Sequence, residues 1–375
     1  MGERAAEKDG HPDVVDLVAF ASGELDREAR ETVDEHLDGC PSCRGAIAAL
    51  LVEGAAERTM ASSGTTVHDT LSDAQSGDLP AGTRVDRYEV QRVIGRGGMG
   101  VIYEAHDPRL GRRVALKVMR DAFEGTASER LLREAQALAQ VAHPNVVSVF
   151  DAGTAEGRVF LAMTLLEGGT LRAWIGDPAR TRADVLSAML SAGRGLYAAH
   201  ERGLVHRDFK PENVLVGEGP VFVVTDFGLV VAADRDAPRP GGSLLNADLT
   251  RPGALMGTPA YMALEQLRGH RADPRADQFA FGVTLFEALF GRRPFAGRNI
   301  PELVGAVMRG AIDWTAPRFE VGELQPVLAS ALSASREDRH ASMEPLLDAL
   351  VAELGARRRE WKRRMLGRRR HRSGR

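Results

Sequence analysis

The stretch His206-Arg207-Asp208-Phe209-Lys210-Pro211-Glu212-Asn213, with Asp226-Phe227-Gly228 a short distance after it, constrains this chain more than any other. Two acids and an amide stand at separations that suit phosphoryl transfer. That chemistry is mainly positioning and electrostatics: a base beside the acceptor hydroxyl, and oxygen ligands for Mg2+. Asp208 is the candidate base, Asn213 the first candidate metal ligand and Asp226 the second. An isolated His-Arg-Asp tripeptide would carry little, whereas the longer pattern with a second acid at this distance is specific.

The pattern resembles the catalytic loop and metal-binding segment of bacterial eukaryotic-like serine/threonine protein kinases, and the resemblance covers about residues 87–350. It implies an α+β, bilobal protein kinase fold with a β-rich small lobe and a helical large lobe. The implied activity is transfer of the γ-phosphate of Mg-ATP to Ser or Thr hydroxyls of proteins. Lys210 matches the lysine with which serine/threonine kinases reach that phosphate. The resemblance makes His206 structural, packed near Phe227, and Arg207 a receiver of a phosphorylated residue from the loop Leu229–Gly257. The hydroxyl residues of that loop are Ser243 and Thr250. Related kinases carry a pair of threonines here, and Thr250-Arg251-Pro252 keeps the first, so Thr250 is the expected regulatory residue. Thr258 matches the substrate segment and is expected to bond Asp208 and Lys210. Ala263-Leu264-Glu265 departs from the family pattern, with Leu for Pro. Glu265 is expected to pair with Arg339, and Asp277 to tie down the catalytic loop.

Upstream, Tyr88 to Ile94 alternates like a strand and runs into Gly95-Arg96-Gly97-Gly98-Met99-Gly100-Val101-Ile102. Glycines let a backbone approach phosphates, and their amides can cradle the charge. The element that follows reads as a strand, which favours a kinase hairpin over a dinucleotide site. Lys117 lies in the apolar run Val114–Met119, where a buried ammonium is costly without partners. The resemblance supplies them: ATP phosphates, and Glu134 on a helix over Ser128–Val141. It also places Ile94, Ala115, Met163 and Leu215 around the adenine, with the backbone of Thr164 and Leu166 bonding its edge.

Residues 1–58 read as a separate all-α module of short helices with little core, which needs a staple. His36, Cys40 and Cys43 can converge on one ion, and zinc suits such N/S donors. The spacing from His11 through His36 and Cys40 to Cys43, with Ala21-Ser22-Gly23-Glu24-Leu25, resembles the zinc-binding anti-sigma domain. That resemblance implies a structural Zn2+ on His11, His36, Cys40 and Cys43, with a sigma factor or another regulator as partner. A redox-active cysteine pair and two ordinary buried thiols stay open as readings of the same residues.

Residues 59–86 are polar and aperiodic and read as a flexible tether. The kinase domain is then 87–355, followed by a basic tail over 356–375. Residues 357–375 carry a net +10 while the remaining chain sums to −13. Such a tail can dock on an anionic membrane surface or nucleic acid. No apolar run is long enough for a membrane span and no signal core opens the chain, so the expected place is the cytoplasm, with the tail able to hold it at a membrane. A homodimer is an arrangement the sequence leaves open. The competing reading is a pseudokinase-like scaffold whose zinc module captures a partner. Intact Lys117, Asp208, Asn213 and Asp226 speak against it.

Overall fold

The computed structural model of the protein describes residues 20, 27–40, 78–97, 100–119, 126–219, 221–227, 259–297 and 300–355. The expected positions His11, Cys43, Gly98, Met99, Thr250 and Thr258 lie outside them.

Helix α1 (Arg27–Gly39) carries Val33 and Leu37 one turn apart. They are buried with Cys40 just beyond its end, and Phe20 packs against them. His36 lies in the last turn. Among the described residues of the N-terminal module, Val33, Leu37, Cys40 and Phe20 pack together.

The next layer is a six-stranded antiparallel sheet in the order β1-β2-β3-β4-β6-β5. Its strands are β1 (Arg84–Val85), β2 (Tyr88–Gly97), β3 (Gly100–Asp107), β4 (Arg112–Met119), β5 (Val149–Ala155) and β6 (Arg158–Met163). At its start β2 alternates buried Tyr88 and Val90 with exposed Glu89 and Gln91, the signature of a half-covered strand. Tyr88, Val90, Tyr103, Leu116 and Phe160 form an outer core on one face. Helix α2 (Thr126–Ala139) closes the other face through Leu131, Ala135 and Leu138. Residues 78–86 were expected to belong to the tether. Instead Arg84 and Val85 pair with Glu89 and Tyr88, and Gly82 N–H donates to Val90 O at 2.8 Å. Leu79 supplies the apolar contact that a purely polar reading of this stretch overlooks.

The helical region comprises α3 (Leu171–Gly176), α4 (Arg182–His200), α5 (Leu264–Leu267), α6 (Pro274–Phe290), α7 (Ile300–Arg309), α8 (Leu324–Ala331) and a last helix over residues 344–355. A two-stranded sheet, β7 (Val214–Val216) with β8 (Phe222–Val224), lies against it. Thr181 and Asp184 form a capping box at the start of α4, satisfying donors that the first turn leaves orphaned. Gly195 on α4 is required by close approach: a Cβ there would lie 2.3 Å from Asn145 O. Helix α6 is buried on nearly all sides, starts from the Asp273 cap with Pro274 at its first position, and ends at Gly291 with φ 72°. A helix enclosed this way is a fixed post from which other segments can be hung.

Candidate active site

Asp277, in the first turn of α6, is the anchor. Its carboxylate accepts from His206 N–H at 2.6 Å and Arg207 N–H at 2.7 Å, and lies 2.8 Å from His200 Nε2. Burial opposes ionisation of Asp277, but His200 and then His206, through its charge and its amide, outweigh it and hold the carboxyl below its usual range. Arg207 is thereby fixed in the left-handed region, at φ 66°. Such strain persists only where the surroundings over-determine the backbone. Gln266 adds a further tie, with its Nε2 donating to Arg207 O at 2.7 Å. His206 is fully buried, bonds Thr225 O through Nε2 at 2.8 Å, and packs on Phe227 with ring centroids 4.7 Å apart.

The loop so anchored presents Asp208. Lys210 Nζ lies 2.9 Å from Asp208 Oδ2, and Asn213 Nδ2 donates to the same oxygen at 3.1 Å and to Asp208 O at 2.7 Å. Asn213 O in turn accepts from Thr225 N–H at 2.8 Å, one residue before Asp226. Asp208, Lys210, Asn213 and the Asp226 segment therefore form one bonded unit. Asp226 also has positive φ, at 54°.

Across the cleft, Lys117 on β4 reaches Asp226 Oδ1 at 2.7 Å. Burial again works against the Asp226 carboxylate, yet Lys117, with His206 and Lys210 more weakly, keeps its pKa below the ordinary value. Glu134 on α2 was expected to be the partner of Lys117. It is bonded instead to Arg207 Nη1 at 3.1 Å. Burial raises the Glu134 carboxyl above its ordinary value, and Arg207 offsets this only in part. The four charged groups thus form two pairs, Lys117 with Asp226 and Glu134 with Arg207.

In the hairpin β2–β3, β3 pairs with β4 so that Ile102 faces Lys117 in register. A Cβ on Gly100 would meet Val118 O at 2.6 Å, so only glycine lets the hairpin close against β4. Ala115 and Met163 are cross-strand partners and both buried. Thr164 N–H is spent on Ser148 O, so what this residue can offer a ligand edge is its carbonyl. Leu215 follows Asn213 on β7, across from Val223.

Glu265 and Arg339 form a buried, two-pronged pair at 2.7 and 3.0 Å, and Arg339 further donates to the carbonyls of Ser333, Ala334 and Arg275. Leu264, where the resembled pattern has Pro, is buried at the start of α5. A second cross-tie went unseen in sequence. Arg172 on α3 bonds Glu212 at 2.8 Å, Glu287 at 2.6 Å and the Tyr261 hydroxyl. These four residues come from four separate segments, so no local spacing announces them, and Gln266, beside Glu265 on a one-turn helix, is equally silent.

Residues 88–349 match the family model for the protein kinase domain. This chain belongs to the protein kinase family. The chain is 35% identical over 288 residues to the serine/threonine-protein kinase Pkn1 of Myxococcus xanthus, an alignment covering 75% of this chain and 40% of the relative. It is 41% identical over 219 residues to PknA of Mycobacterium tuberculosis, covering 56% of this chain and 48% of that kinase. The chain therefore spans less than half the length of these relatives. Among solved structures, the Mycobacterium tuberculosis PknI kinase domain superposes with a TM-score of 0.54 at 27% identity, covering 73% of this chain and 99% of that one. Residues 16–44 match a zinc-finger family model, an interval that contains His36, Cys40 and Cys43 and stops short of His11. Among the described residues no helix is long and apolar enough to cross a membrane.

Proposed function

We propose that the chain is a serine/threonine protein kinase that phosphorylates protein hydroxyls and its own loop residue Thr250, rather than a pseudokinase scaffold. One observation carries this: the Asp208 carboxylate is held by Lys210 and Asn213 in a bonded unit that includes the Asp226 segment. A scaffold has no use for such an arrangement. The donor set fits the expected cofactor. Asp226 and Asn213 offer the hard oxygens that Mg2+ selects, and Lys117 and Lys210 are cations at the same cleft. Bound Mg-ATP supplies the phosphoryl group and neutralises its charge.

Asp208 orients the acceptor hydroxyl and takes its proton, while Lys210 beside it restrains the carboxylate and counters charge on the transferring group. Lys117 must leave Asp226 to serve phosphates, and Glu134 is the carboxylate that then receives it. Arg207 gives Glu134 up when a phosphate on Thr250 competes for the guanidinium, because phosphate–guanidinium bonds are charge-assisted and bidentate. The present pairing is in this reading the resting state.

The N-terminal module holds Zn2+ through His36 and Cys40, a ring nitrogen and a thiol four positions apart at the end of α1, with Cys43 and His11 completing the set. Its partner is a sigma factor or another regulator, and the basic tail after the last helix gives the chain a cationic segment for docking on an anionic surface in the cytoplasm.

The deciding experiment is autophosphorylation with labelled ATP and Mg2+, wild type beside Asp208→Asn, followed by mapping of labelled sites. Label on Ser or Thr that vanishes in the variant is expected. A folded, nucleotide-binding wild type that incorporates no label, even into a generic substrate, would overturn the reading.

A further inference from the structure

Residues 78–83 precede the part of the chain that matches the kinase family, which begins at residue 88. They nevertheless form a strap along the outer side of the β2–β3 hairpin. Asp78 Oδ2 accepts from Arg96 Nε at 3.1 Å and from Arg96 Nη2 at 2.7 Å. Leu79 N–H donates to the Tyr103 hydroxyl at 2.9 Å, and its side chain packs on the outer core. Thr83 N–H closes a turn onto Pro80 O at 3.1 Å, while Gly82 N–H and Thr83 O bond both backbone groups of Val90. The strap thus grips both arms of the hairpin, β2 at Arg96 and Val90 and β3 at Tyr103.

The hairpin has little stiffness of its own where the strap reaches it. Gly95, Gly97 and Gly100 contribute no side chains to hold the arms together, and the register slips between Val90 and Arg92 and again between Val93 and Gly95. Glycine-rich backbone loses the most conformational freedom on being fixed. An external tie near the tip therefore has a large lever on where the tip rests. Arg96 is the one residue between Gly95 and Gly97 with a side chain long enough to serve as a handle, and it extends to Asp78 across the outside of the sheet.

We infer that Asp78 is a positioning residue for the phosphate-binding hairpin: through Arg96 it holds the hairpin in a nucleotide-ready placement, so that the end of the tether and the nucleotide site are one mechanical unit. The inference rests on the nucleotide reading of the hairpin given above. The pair is partly exposed, with the Arg96 side chain 52% and the Asp78 side chain 27% accessible. Its effect is accordingly modest and salt-sensitive, about two- to fivefold in nucleotide affinity.

The experiment uses the full chain as wild type, Asp78→Asn and Asp78→Glu. Amide hydrogen exchange of residues 93–103 is measured without nucleotide. The dissociation constant of a fluorescent ATP analogue with Mg2+ is then measured at low and high salt, and thermal unfolding beside it. Asp78→Asn is expected to speed exchange in the hairpin and weaken the analogue about two- to fivefold, with the unfolding temperature essentially kept. Asp78→Glu should recover most of both losses, and high salt should bring wild type toward Asp78→Asn. Unchanged hairpin exchange in Asp78→Asn would overturn the strap whatever the nucleotide does. Tighter binding in that variant would overturn it too, since Asp78 would then be withholding Arg96 from phosphate. A wild type that binds no nucleotide would instead overturn the functional reading, and the exchange comparison would still test the strap.

Discussion

Glu134 is bonded to Arg207 at 3.1 Å, while Lys117, the residue that sequence pattern pairs with it, lies 2.7 Å from Asp226. Each of the four charges has an opposite partner, so the arrangement is electrostatically closed. A change at either pair has to be answered at the other. In the proposed function Glu134 is the carboxylate that receives Lys117, and Glu134→Gln removes it. Phosphotransfer by the variant is expected to fall at least about tenfold, with the fold intact by circular dichroism. Activity within a factor of about two of wild type would mean that Lys117 never exchanges partners.

Arg339 and Glu265 are tied deep in the helical region, with the Arg339 side chain fully buried. Arg339→Met leaves the Glu265 carboxylate buried without its cation. Removing one partner of such a pair costs about 3–5 kcal/mol. Denaturant unfolding should show that loss, and adding Glu265→Gln should return part of it, because the uncompensated charge is then gone as well. Additive losses in the double variant would mean that the two residues do not act as a pair.

His143 sets a pH dependence. Asn145 N–H donates to its Nδ1 at 3.1 Å, which requires that nitrogen to be unprotonated. Burial, and then the charge of Arg194, lower the His143 pKa below 6.5. In the interval beneath 6.5 the unfolded chain binds the proton that the folded chain refuses, so stability falls as pH is lowered through it. His143→Gln keeps an acceptor for Asn145 and removes the titration. Unfolding temperatures from about pH 7.5 to about pH 5.5 should fall less steeply for the variant than for wild type. Parallel curves would assign the slope to other groups.

The N-terminal module should carry metal. Purified protein is expected to hold about one zinc per chain, lost in Cys40→Ser. Chelation should remove helical signal from α1 and leave the unfolding of the kinase domain in place, because the metal ligands and the fold of such a small module are coupled. A module that is folded and metal-free would sink the zinc reading.

Much of the fold was legible because its signals are local. The strand at Tyr88–Ile94 follows from alternation and the one at Val114–Met119 from a short apolar run, whereas the helix carrying Asp277 is buried nearly all round and follows only from the resemblance. The pairing of Glu265 with Arg339 and the hold of Asp277 on the loop were anticipated from the resemblance and stand in the geometry. The order of residues 78–86 is not legible locally, because Asp78, Pro80, Gly82 and Thr83 are turn formers whose value lies in contacts with strands that come later.

The sequence by itself determined which groups are present: Asp208, Lys210, Asn213 and Asp226 for the chemistry, glycines for the hairpin, and His36, Cys40 and Cys43 at metal-ligand spacing. Those are choices of residue type at short separations, written directly in the chain. Only the tertiary structure decided who pairs with whom. Lys117 and Asp226 are 109 residues apart, Glu134 and Arg207 are 73, and Arg172 and Glu287 are 115. A charge in a cleft takes whichever opposite charge the packing of helix and sheet brings within reach, and Coulomb attraction depends on that distance and burial rather than on spacing in sequence.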